Sequence, residues 1–200
     1  GLERDALITA FNHLEAEQQC AAPTMSYPTV LECVHRALAE DLELKTSPML
    51  DHAFGASVPS WPAFPDSADS LSFLSGHFGL VILSNVDRAG FAASNTLLGV
   101  EFDAVYTAED IGSYKPDPSN FEYLIEHVES DLGYGKSDIL HTAQGIRHDQ
   151  IPARAIGLAN AWIDRTRLSE TGMAGLPATD HLFFSMAEMA AAVKTEVASR

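Results

Sequence analysis

"GLVILSNV", residues 79 to 86, is the stretch on which the fold turns. Leu80, Val81, Ile82 and Leu83 form a short unbroken apolar run, opened by a glycine and closed by Ser84 and Asn85. A run of that length without polar alternation is the pattern of a strand covered on both faces, as in a parallel sheet. Downstream the pattern recurs with helices between the runs. "AGFAASNTLLG" (89–99) predicts a helix closed by Gly99, and "FDAVYTA" (102–108) a second strand. "PSNFEYLIEHVESDLG" (118–133) puts Phe121, Leu124, Ile125 and Val128 on one helical face, with Ser119 or Asn120 available as a cap. "DILHTA" (138–143), "ANAWID" (159–164) and "HLFFSM" (181–186) read as further strands, separated by the short helix "IPARAIG" (151–157) and followed by a last helix over 187–198. Strands alternating with helices predict an α/β fold with an open, mostly parallel sheet.

Upstream of residue 79 the character differs. "SADSLSFLSGHF" (67–78) reads as a helix ending near Gly76. Residues 2–20 carry Leu2, Ala6, Ile8, Phe11 and Leu14 at roughly helical spacing, and Tyr27, Val30, Leu31, Val34 and Leu38 share one face of a second helix. Residues 47–64 are broken by Pro48, Gly55, Pro59 and Pro62, which predicts a short helix and an irregular linker. The division expected is a helical part over 1–62 and an α/β core over 63–200.

The chain has 200 residues, 46% of them apolar, enough for one domain or one domain with an insertion. A net charge of −16, with only 12 Lys and Arg, argues against a nucleic-acid or anionic-membrane partner. Cys20 and Cys33 have no zinc-type spacing and read as free thiols of a reducing compartment. No apolar run is long enough to span a membrane, and the charged start does not resemble a signal peptide. A cytoplasmic protein acting on a small molecule is the expectation.

In open α/β sheets ligands bind outside the carboxyl ends of the strands. That rule brings Ser84 and Asn85 to one rim with Lys115, reached through "TAEDIGSYKPDP", and with Gln144, Arg147, His148 and Asp149. A hydroxyl and an ammonium on neighbouring loops suit an anion or a developing oxyanion. Asp149 can either cap the helix after it or accept a hydrogen bond from Lys115. Asp117 reads as a turn or capping residue. Tyr27, Trp61 and Phe64 can line a pocket for an apolar small molecule or pack the helical part on the core.

"VILSNVDR", "YKPDPSNFEY" and "DILHTAQGIRHDQIPARAIGLANAWIDR" in this order and spacing resemble three motifs of the haloacid dehalogenase superfamily, nearest to its L-2-haloacid dehalogenase branch. The resemblance covers 66–200 well and likens the helical first part to that branch's cap. It implies a Rossmann-like parallel core, with Ser84 and Asn85 binding the substrate's acidic or leaving group. Lys115 would bridge a nucleophilic carboxylate and the substrate, and Asp149 would hold the lysine. In that family the nucleophile is an aspartate ending a central strand, in a motif such as DxDGT, and this sequence contains no such segment. Further departures are the lack of arginine between Arg4 and Arg36 and a phenylalanine, Phe121, where the branch often has tyrosine. With the first-motif carboxylates missing, a Mg²⁺ site lacks most of its oxygen ligands, and no metal or other cofactor is expected.

The missing strand would leave two strand edges facing one another. They could close up and pair directly, a partner chain (a second copy in a homodimer included) could fill the slot, or the strand could lie outside the sequence given. Three functions follow. Taken as given, the chain favours a repurposed enzyme that rearranges, cyclises or isomerises an apolar metabolite, for example by acid-assisted epoxide opening. The others are a haloacid dehalogenase-type hydrolase whose nucleophile lies elsewhere, and an inactive binding scaffold. Under either enzymatic reading Lys115→Ala is expected to abolish turnover and to leave folding nearly intact, as a rim lysine would.

Overall fold

In the computed structural model, which describes residues 3–199, three helices come first: α1 (Arg4–Ala21), α2 (Tyr27–Asp41) and α3 (Pro48–Gly55). Leu2, assigned to the first helix from sequence, lies outside the described residues. Tyr27, Val30, Leu31 and Val34 form the buried stripe of α2, and Pro28 is tolerated in its first turn, where no helical N–H is needed. A Cβ at Gly55 would come within 2.5 Å of the Pro28 carbonyl oxygen, so α3 can lie this close to α2 only with glycine there. Asp51, fully buried on α3, ties the two helices together: it accepts from Thr46 Oγ1 (2.7 Å) and Arg36 Nε (3.1 Å), with His35 Nδ1 2.8 Å away.

The chain then alternates. Helix α4 (Ser67–Leu74) precedes β1 (Val81–Ser84), α5 (Arg88–Leu98) and β2 (Ala104–Thr107). Next come α6 (Ala108–Ile111), α7 (Pro118–Leu132), β3 (Leu140–Ala143) and α8 (Ile151–Ala155). Strands β4 (Ala159–Ile163) and β5 (His181–Phe183) and helix α9 (Met186–Ala198) complete the core. Gly99 and Gly133 close α5 and α7 in the left-handed conformation that glycine adopts without steric cost. Two details differ from the sequence reading. Asp117, read as a turn or capping residue, is the N-cap of α7 in place of Ser119 or Asn120, because its carboxylate reaches the Ser119 N–H. The stretches read as loops after β2 and β3 hold the one-turn helix α6 and a π-helical turn, Ile146–Gln150.

All strand pairings are parallel, as expected, but they fall into two sheets: β1–β2 and β3–β4–β5. Strands β1 and β3 share no backbone hydrogen bond among the described residues. The two edges therefore have not closed up. This also explains why β1, a run with the composition of a fully covered strand, is only half-buried along its length.

One helix holds the sheets together. Phe121, Leu124 and Val128 of α7 pack with Val81, Leu83 and Tyr106 of the first sheet and with Ile139 and Leu158 at the start of the second. The helical part joins the core through a second cluster, in which Tyr27, Val30, Leu31 and Val34 meet Val86, Ala108 and Tyr114. Among the described residues no helix is long and apolar enough to cross a membrane. Phe121 is fully buried at the centre of α7's contact with both sheets. Phe121→Ala should lower the free energy of unfolding by about 3–5 kcal/mol, read from urea unfolding curves.

Candidate active site

Ser84 and Asn85 end β1, Lys115 follows α6, and Asp149 lies in the π-helical turn after β3. These segments converge at the carboxyl ends of the two facing strands. The Lys115 ammonium donates to Asp149 Oδ1 at 2.6 Å and to the Leu83 carbonyl at 2.8 Å. It therefore spans from β1 to the turn beyond β3, and one of its three N–H groups is left without a partner among the described residues. Of the two roles open to Asp149, it takes the one facing the lysine.

Lys115 is placed by its backbone. Asn85 accepts from the Lys115 N–H at 2.8 Å and donates from Nδ2 to the Lys115 carbonyl at 3.0 Å, so both ends of its amide are committed to the lysine's own peptide groups. The Lys115–Pro116 bond is cis. Ser84 Oγ accepts from the Val86 N–H at 3.1 Å, which leaves its hydroxyl hydrogen to point elsewhere. Sequence reading missed two members of the site. His141 Nε2 lies 3.3 Å from Asp149 Oδ1, and a histidine inside an apolar strand was the available signal. Gly145 is the other: a Cβ there would collide with Asp149 Oδ2, so the carboxylate as placed needs a glycine beneath it.

The pair is buried: Lys115 and Asp149 are each 8% exposed. Burial alone would push the Asp149 carboxyl up, but the Lys115 charge, followed by His141, outweighs it and holds the carboxyl down at about 2. His148, half-buried, has an Nε2 with no partner. Burial lowers its pKa, the nearby Glu15 carboxylate opposing, so the ring is neutral at pH 7. Glu15 is itself a buried member of the helical part and accepts from the Tyr27 hydroxyl at 2.8 Å.

The remaining sequence candidates lie further out. Trp61 is exposed, packs edge-on against Tyr27 and donates to Ser57 Oγ. Phe64 is exposed beneath the Arg165 guanidinium, 4.0 Å from its ring centre. Gln144 is exposed, and its carbonyl accepts from Trp162 Nε1. A cavity of about 440 Å³ opens beside Asn85, between residues 24–27 and the segments carrying Asp87, Glu109 and Tyr114. Neither Trp61 nor Phe64 lines it.

Several solved structures superpose over nearly the whole chain. An L-2-haloacid dehalogenase from Xanthobacter autotrophicus matches 96% of this chain and 86% of its own at 17% identity, with a TM-score of 0.77. The same enzyme with chloropropionic acid covalently bound gives 94%, 86%, 18% and 0.76. The chain has the haloacid dehalogenase fold. A putative hydrolase of this fold from Bacillus subtilis, YfnB, bound to magnesium, matches 97% of this chain and 84% of its own at 16% identity, with a TM-score of 0.73. No family model and no curated protein matches the sequence.

The rim of this dehalogenase-fold chain does not fit a magnesium ion. Asp149 Oδ1 is already taken by an ammonium, and among the described residues no group of three acidic, His or Cys side chains could hold a metal. What the rim offers is a positioned ammonium, a free hydroxyl and a carboxylate paired with the ammonium. The expectation that Lys115→Ala would leave folding intact is not compatible with this burial. Removing the lysine strands a buried carboxylate, at a cost of about 3–5 kcal/mol.

Because the Asp149 carboxyl is depressed, its contribution to stability is complete above the ordinary carboxylate pKa of about 4. It is lost as pH falls through about 2. Urea unfolding of wild type and Asp149→Asn between pH 2 and pH 6 should show a gap that shrinks by roughly 2–3 kcal/mol towards the acid end.

Proposed function

We propose that the chain is a haloacid dehalogenase-type hydrolase of small organic acids, with its carboxylate nucleophile carried by a strand that pairs between β1 and β3. The observation that carries this reading is the pair of facing parallel edges bridged by Lys115. Unpaired backbone groups on such edges are costly when buried, and an extended segment running parallel to both would satisfy them. Its last residue would meet the unpartnered N–H of Lys115. An aspartate there could attack the carbon bearing the halogen. The carbon–halogen bond would break with its electron pair leaving as halide, and water would then hydrolyse the ester formed. The covalent chloropropionic acid adduct of the Xanthobacter enzyme supports this chemistry for the fold. Ser84 and Lys115 would hold the substrate's carboxylate or the departing halide.

A second reading rests on a different observation. His148 presents an unpartnered imidazole nitrogen, kept neutral by burial, close enough to Glu15 to feel its charge. Neutral imidazole and a buried carboxylate can move protons without a covalent intermediate. On that basis the chain alone would isomerise or cyclise a small apolar metabolite.

The test is chloride release from L-2-chloropropionate by the chain alone and with a short apolar peptide ending in aspartate, with NMR of the organic product. Release only when the peptide is present, and its loss by a factor of about 10³ or more in Lys115→Met, is expected for a transition-state contact. No chloride in either arm sinks the hydrolytic reading. An isomerised product without halide would favour the second.

A further inference from the structure

The cavity beside Asn85 is acidic and aromatic, and among the described residues no basic side chain lines it. Asp87 and Glu109 are its two carboxylates, and Tyr27 and Tyr114 its two rings, with Met25 between them in the wall. Asp87 is 9% exposed; one oxygen accepts from the Gly90 N–H at 2.7 Å, and the other accepts no hydrogen bond among the described residues. Glu109 likewise gives one oxygen to the Arg88 N–H and keeps one free. These two bonds answer the N–H groups that open α5, so they are not left over for an anion. The Arg88 guanidinium, the nearest positive charge in sequence, is paired with Asp110 and only secondarily feels the Glu109 charge, while no cation faces Asp87 among the ion pairs of the described residues.

The tyrosines point to a ligand independently of the carboxylates. Both hydroxyl hydrogens are already spent, that of Tyr27 on Glu15 and that of Tyr114 on the Met25 carbonyl. What the two phenols can still offer is ring face and lone pairs, both electron-rich. The rings stand 6.4 Å apart at 44°, a splayed rather than stacked arrangement, and both line the cavity although each is otherwise buried. Donation to a buried carboxylate pushes electron density back into the Tyr27 ring and strengthens its attraction for a cation. Burial, followed by the Asp87 and Glu15 charges, pushes the Tyr114 hydroxyl up to about 12, so that ring stays a neutral phenol.

We propose that this cavity receives an organic ammonium group, and that the small acid handled at Lys115 is therefore a zwitterion. The zwitterion half of the statement rests on the reading of Lys115 as an anion site; the ammonium half does not. Asn85 joins the two, since it lines the cavity and holds the Lys115 backbone. A substrate with its carboxylate towards Lys115 and its ammonium between Asp87 and the tyrosine rings would be held at both ends. A desolvated cation over an aromatic face beside a carboxylate is the strongest form of this contact.

Choline and its uncharged isostere 3,3-dimethyl-1-butanol are the probes, titrated into the wild-type chain by calorimetry at fixed ionic strength. Choline should bind saturably and the isostere at least about tenfold more weakly, since only the charged probe gains the ring and carboxylate attraction. Asp87→Asn should weaken choline by about tenfold and leave the isostere unchanged, because asparagine caps α5 as well as aspartate does. Tyr114→Phe, which keeps the ring, should retain binding and separate loss of the site from loss of folding. Equal affinity for the two probes, or no binding of choline, overturns the proposal. Choline binding without any halide release would leave this site standing and count only against the hydrolytic reading.

Discussion

The contact between the Lys115 ammonium, the Asp149 carboxylate and the Leu83 carbonyl is the constraint on which the rest depends. It is the polar bridge between two sheets that share no backbone hydrogen bond. Charges this deeply buried are stable only as a pair, and removal of either leaves the other buried without its counter-charge. The surrounding residues serve that pair. Asn85 fixes the lysine's backbone, His141 approaches the same carboxylate oxygen, and Gly145 leaves room for the other.

Beneath the ion pair the bridge is apolar. Helix α7 runs under both sheets, and its stripe of Phe121, Leu124 and Val128 covers residues from each. The helical part closes the other side through Tyr27, Val30, Leu31 and Val34 against Val86, Ala108 and Tyr114. Tyr27 belongs to this packing and to the cavity wall at once, so the position of the first helices and the shape of the cavity are set by the same contact.

The electrostatics divide the molecule sharply. An overall charge of −16 repels anions at long range, and Lys115 sets a buried cation within that field. The cavity next to it continues the acidic character of the surface, with Asp87 and Glu109 in its wall and Glu15 behind Tyr27. Opposite charges thus lie on the two sides of Asn85. The neutral imidazole of His148 sits on the lysine's side, next to Asp149.

The order of strands and helices was legible in the sequence because local pattern determines it. "GLVILSNV" and the runs after it have the length and composition of parallel strands, and the glycines at 99 and 133 end helices where only glycine is unstrained. The convergence of Ser84, Lys115 and Asp149 was also legible, since the carboxyl ends of parallel strands meet at one rim. Whether the two edges left facing one another would close up and pair was not, because pairing is a relation between strands distant in sequence and β1 has the composition of a fully covered strand. The choice of Asp149's partner, the placement of His141 and the burial of Glu15 beside Tyr27 were likewise decided only in three dimensions. A side chain's composition limits which partners it can take, but which one comes within 3 Å is set by packing of the whole chain.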